Sequence, residues 1–196
     1  LLAEMVAAGC RCAVMEVSSH GVLQKRAAGI DYDVAVFTNL SRDHLDYHGT
    51  MDAYFEAKRR LFTGLGKGEK QGTAVINADD VWGRKLLDRH DWVGDTVRFG
   101  ESTSAEVCAE HVRLSSSGSA FRVNSPWGKG EVATPLLGRF SVSNTLAAMA
   151  ACGACGVSLD VMIAAIRSVT RVPGRLEEVL VDDSYQVFVD YAHTDD

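Results

Sequence analysis

The chain has 196 residues, of which 46% are apolar and 23% charged, and it carries a formal net charge of −6. That length suits one domain with a sizeable core, and the acidic balance excludes a protein built to coat nucleic acid, so no nucleic-acid partner is expected. No apolar run reaches the roughly 18 residues of a membrane span, and residues 1–9 lack the basic opening of a signal peptide, so no membrane partner and a cytoplasmic setting are expected.

The chain opens without methionine inside an amphipathic stretch that reads as the end of a helix closed by Gly9. It stops at Asp196, just after an apolar strand, so both ends read as cut through structure. Cys12-Ala13-Val14-Met15-Glu16-Val17 is a continuous apolar run, the pattern of a strand buried on both faces. Residues 34–38 and 73–77 repeat that pattern, and a helical stretch follows over 79–89. Strands alternating with helices predict a parallel α/β sheet. Residues 106–114, 120–124 and 130–134 are short β-like runs separated by Ser- and Gly-rich turns, which predicts an antiparallel meander. Helices are expected over 141–155 and 158–169, a turn at 171–175, and strands over 176–181 and 186–190. The fold class is therefore α/β: a mostly parallel sheet flanked by helices, with a small antiparallel sheet.

The five cysteines are odd in number, and Cys152 and Cys155 have no second pair at zinc-ligand spacing. They lie in an Ala-rich helical run, where cysteine behaves as a small hydrophobe, and a reducing compartment is expected.

Three segments carry polar chemistry. Glu16 ends the first apolar run and is followed by Val17-Ser18-Ser19-His20-Gly21. Ligands of open parallel sheets collect beyond the carboxyl ends of strands, so Glu16 suits a metal ligand or phosphate-site acid as well as a salt-bridged surface role. The run at 34–38 leads into Asn39-Leu40-Ser41-Arg42-Asp43-His44-Leu45-Asp46-Tyr47-His48-Gly49, dense in titratable groups for a mere connector. Thr50 can cap a helix over 51–61, with Asp52 in its first turn. On that helix Met51, Tyr54, Phe55, Leu61 and Phe62 share one face, and Lys58 falls in the middle of it. A lysine so placed must desolvate, snorkel or find a partner; desolvation would yield a nucleophilic neutral amine. No G-x-x-x-x-G-K-[ST] string occurs; Gly64-Leu65-Gly66-Lys67-Gly68 has the wrong spacing.

These strings resemble the Mur ligases, in the wording of the MurE type. Met15-Glu16-Val17-Ser18-Ser19-His20-Gly21, Thr38-Asn39-Leu40-Ser41-Arg42-Asp43-His44-Leu45-Asp46-Tyr47-His48-Gly49 and Glu56-Ala57-Lys58 carry the resemblance. Asn77-Ala78-Asp79-Asp80, Ser143-Asn144, Gly174-Arg175 and Asp190-Tyr191-Ala192-His193-Thr194 follow in the family's order. Where the family continues with proline, this chain has Asp195.

The resemblance implies that residues 1–196 are an incomplete central ATPase domain, P-loop-NTPase-like in fold. The phosphate-binding loop, the UDP-binding domain and the amino-acid-binding domain would lie outside it, so the chain alone is expected to be inactive. The implied reaction uses ATP to activate the D-glutamate carboxylate of UDP-MurNAc-L-Ala-D-Glu as an acyl phosphate, which a diamino acid's amine then attacks. The wording around Tyr47 leans to meso-diaminopimelate, with L-lysine and a non-catalytic Mur-like module as alternatives. By the same resemblance Glu16, His44 and Lys58 would be the catalytic set, holding Mg2+, with Lys58 bearing a CO2-derived carbamate. Ser18, Gln24 and Arg26 would hold the UDP-sugar dipeptide. Asn144, in the first turn of its helix, would contact adenine; Arg175 and Asp190 would meet phosphates and ribose, with His193 near the phosphates. A monomer is expected.

Overall fold

The computed structural model describes residues 1–182 and 185–191. Helix α1 (Leu2–Ala7) ends as predicted: Gly9, at φ +80°, donates to Val6 while Cys10 donates to Met5, which satisfies the last carbonyls of the turn. The following elements are α2 (Ser19–Leu23), β1 (Val34–Phe37), α3 (Leu45–His48), α4 (Met51–Arg59), a 3₁₀ turn (Phe62–Gly64), β2 (Thr73–Asn77), α5 (Val81–Arg89), β3 (Asp95–Gly100), β4 (Val107–Ser115), β5 (Gly118–Ser125), β6 (Gly128–Thr134), α6 (Arg139–Ala154) and α7 (Leu159–Ser168). Strands β7 (Glu177–Asp182) and β8 (Tyr185–Val189) close the described chain.

One six-stranded sheet runs in the order β1-β2-β3-β4-β5-β6, and β7 with β8 forms a separate two-stranded antiparallel sheet. Strands β1 to β4 are parallel, and β4 to β6 form the predicted antiparallel meander. The join is β3, which residues 95–100 gave little reason to expect: Asp95, Thr96 and Arg98 interrupt its apolar pattern. Through Phe99 and Gly100, paired with Val107 and Cys108, β3 fuses the meander to the parallel half.

Side-chain alternation divides the core in two. Val75, Phe99, Val107, Phe121 and Val123 face α6 and α7, whereas Ala35, Phe37, Ala74 and Ile76 face Tyr54 and Phe55 of α4 and Leu86 of α5. Each large apolar side chain so buried contributes about 1.5–3 kcal/mol. Helix α5 lies tight on β2 because Gly83 has no Cβ: one there would stand 2.0 Å from the Asn77 carbonyl oxygen.

Three expectations fail. Residues 12–17 belong to no strand or helix; Val14 is 96% exposed, and Cys12, Met15 and Glu16 are exposed too. A strand is buried on both faces only where sheet neighbours and covering layers exist, and β1 pairs with β2 alone among the described strands. Helix α6 starts at Arg139, behind the cap Gly138, so Asn144 lies beyond the first turn. Cys152 and Cys155 do sit at the end of α6 but are exposed, so they are not core residues.

Candidate functional site

The site begins where β1 leaves the sheet. The side-chain amide of Asn77, at the end of β2, donates to the Thr38 carbonyl at 2.8 Å and fixes that exit. Asn77 also accepts from the Asp79 N–H at 2.9 Å, and Asp80 caps α5 by accepting from Trp82 and Gly83. The Asn77-Ala78-Asp79-Asp80 string is thus scaffolding at the sheet's carboxyl end.

His44 precedes α3 with φ +53°, in the left-handed region that non-glycine residues seldom occupy. Asp43 holds it there: its carboxylate accepts from the His44 N–H at 2.7 Å and lies 3.3 Å from Nε2. Thr50 caps α4 as expected, accepting from Ala53 at 3.1 Å, with Asp52 in the first turn. Tyr54 and Phe55 are buried, and Lys58, one turn after Tyr54, is half-buried with its amine 5.2 Å from the Tyr54 ring centroid. Burial pushes the Lys58 amine below its ordinary value, while the Glu16 and Asp43 carboxylates pull it back up. The amine is therefore drawn out of water within the field of two carboxylates, one predicted as its partner and one not.

Helix α2 packs against α4. Ser18 caps α2 by accepting from the Gly21 N–H at 3.1 Å, so its side chain has a structural task. Gln24 follows α2 as its C-cap and is exposed, as is Arg26. Ser19 is buried, and its hydroxyl lies 2.8 Å from His48 Nε2. The His48 ring stacks on Tyr54, with centroids 4.8 Å apart and planes at 16°, and His44 meets the same tyrosine at 5.9 Å. His20 fills the space between, 4.0 Å from Tyr47 and 5.0 Å from His44. Burial, followed by the neighbouring His20, His44 and Lys58, lowers the His48 pKa and so favours its neutral imidazole.

Of the three predicted metal ligands, Lys58 and Glu16 interact electrostatically, and His44 borders the ring beneath Lys58. Among the described residues no three His, Cys, Asp or Glu side chains converge as a ligand set. Sequence reasoning singled out the segment holding Asp43 and His48 and placed Tyr54 on the apolar face of α4, but gave no individual role to these three or to Ser19. The available signal was spacing, since His48 stands four residues after His44 and just before the cap of the lysine's own helix.

The predicted nucleotide residues fall into two places. Arg175 sits in the turn before β7, and Asp190 follows β8, where its carboxylate accepts from the Leu176 N–H at 2.9 Å; the hairpin thus brings the two together. Asn144 is exposed on α6, and His193 lies outside the described residues.

Residues 1–152 match the family described as Mur ligase middle domain. The chain belongs to that family. This Mur ligase domain is 45% identical, over 98% of its length, to the UDP-N-acetylmuramoyl-L-alanyl-D-glutamate–2,6-diaminopimelate ligase of Geobacillus kaustophilus, covering 40% of that protein. It is 44% identical over its whole length to the ligase of the same name from Synechococcus elongatus, covering 39% of it. It therefore spans about two fifths of the length of the curated relatives it matches. A solved structure of a ligase of that name superposes with a TM-score of 0.75 at 36% identity, covering 90% of this chain and 36% of the other. The MurF ligase of Thermotoga maritima in complex with ADP shares the fold, with a TM-score of 0.70 at 19% identity, covering 88% of this chain and 38% of the other. The mostly parallel sheet with its antiparallel extension is thus the family's fold. No described helix is long and apolar enough to cross a membrane.

Proposed function

We propose that this Mur ligase domain belongs to an ATP-dependent amide ligase that adds meso-diaminopimelate to UDP-MurNAc-L-Ala-D-Glu. Similarity across the whole chain to ligases bearing that name supports the substrate assignment. The observation that carries the chemistry is Lys58, a desolvated amine on an apolar helix face turned toward Glu16 and Asp43.

A neutral amine can attack CO2, forming an N–C bond and releasing a proton, and burial favours that neutral form. The donor set fits such a modification. Magnesium prefers several oxygen ligands. A carbamate on Lys58 would add its oxygens to those of Glu16, with His44 completing the set. Magnesium held there would supply charge neutralisation on the transferring phosphoryl group.

The protein's own residues do the positioning. Asn77 pins the exit of β1 and Asp43 fixes His44; Ser18 and Gln24, which flank α2, and Arg26 beyond it are assigned to the UDP-sugar dipeptide. Arg26 suits a carboxylate or phosphate because its guanidinium is a planar fork. Arg175 and Asp190, adjacent at the hairpin, are assigned to the nucleotide's phosphates and ribose, with Asn144 at adenine and His193 near the phosphates. The substrate's glutamate carboxylate attacks the γ-phosphorus and ADP leaves; the incoming amine then attacks the acyl carbon and phosphate leaves.

The test is Lys58→Ala in the complete ligase. Phosphate release dependent on both substrates should fall by about a hundredfold or more, and short carboxylates should restore part of it. An unchanged rate rules out the lysine's role.

A further inference from the structure

We propose that Ser19 and His48 are positioning residues that hold Lys58 in place for its reaction with CO2. The inference rests on the reading of Lys58 given above. It starts from a hydroxyl: Ser19 is 2% exposed, and a buried polar group needs a partner. That partner is His48, 29 residues away in sequence and 2.8 Å away in space.

The contact continues beyond the imidazole. His48 lies flat on Tyr54, and the Lys58 amine lies over the same tyrosine. Tyr54 and Lys58 are one helical turn apart, so they are neighbours on the α4 surface. An unbroken series of contacts therefore runs from α2, through the last residue of α3, to the amine on α4. Glu16 and Ser18 lie three residues and one residue before Ser19, in the irregular segment that leads into α2. The Ser19–His48 bond thus ties the segment carrying the predicted carboxylate to the helix carrying the predicted carbamate. Without it, the orientation of the imidazole depends on stacking alone, and Tyr54 and Lys58 gain rotamer freedom.

The experiment uses the complete ligase in 13C-labelled bicarbonate, following the carbamate resonance by NMR alongside activity. Ser19→Ala and His48→Ala should each need about tenfold more bicarbonate for half-maximal carbamate, the scale of one lost buried hydrogen bond. The double variant should be no worse than His48→Ala, because the two residues act as one unit. His48→Gln, whose amide can still reach Ser19, should recover most of the loss, and KM for the nucleotide should not move. Unchanged bicarbonate dependence in both alanine variants overturns the inference, as does a loss that glutamine does not recover. An active wild-type enzyme with no carbamate resonance would instead bring down the reading of Lys58, and this inference with it.

Discussion

Helices α4 and α7 bury the same pattern and put it to different use. On α7, Leu159, Met162, Ile163 and Ile166 form an apolar stripe against the sheet core. On α4, Met51, Tyr54, Phe55 and Lys58 stand at identical spacing, and Tyr54 and Phe55 are buried as deeply as Leu159 and Met162. The fourth place of the stripe holds isoleucine in one helix and lysine in the other. A half-buried slot on α4 is thus occupied by an amine that burial strips of water. Such a residue weakens the fold and gains reactivity, the trade expected where function opposes stability.

Swapping the fourth residue tests this most severely. Ile166→Lys should destabilise the protein by about 2–3 kcal/mol, because an ammonium packed against the apolar cluster loses its hydration. Urea denaturation measures it, and a loss near zero would show that this stripe tolerates a cation anywhere.

The reverse change should help. Lys58→Met should raise stability by about 1 kcal/mol at pH 7 while abolishing ligation. The gain should also depend on pH. The folded pKa of Lys58 lies below its ordinary value of 10.5, so between the two the unfolded chain binds more protons than the folded one. The penalty is complete below the folded pKa and disappears as pH rises toward the unfolded value. Wild type should therefore approach Lys58→Met in urea midpoint as pH rises toward 10.5, and parallel curves would refute burial as the cause.

The smallest effect lies at the helix starts. Thr50 caps α4 through its side chain, whereas Ser158 makes no such bond at the start of α7. Thr50→Ala should cost about 1 kcal/mol and Ser158→Ala a few tenths.

Much of this architecture was legible in the sequence. The continuous apolar runs at Val34–Phe37 and Thr73–Asn77, the meander, α6, α7 and the lysine on its apolar stripe follow from local periodicity, which the backbone itself imposes. Residues 12–17 misled because an apolar run says what could be buried, and burial requires neighbours that local sequence does not supply. Strand β3 escaped notice because half its residues are polar; its place comes from pairing with β2 and β4. Tertiary structure alone decided that Asp43 joins Glu16 in facing Lys58, and that Ser19 reaches His48 above the Tyr54 ring. Spacing along a helix fixes which residues share a face, but which groups meet at a sequence separation of 29 residues depends on how separate elements pack.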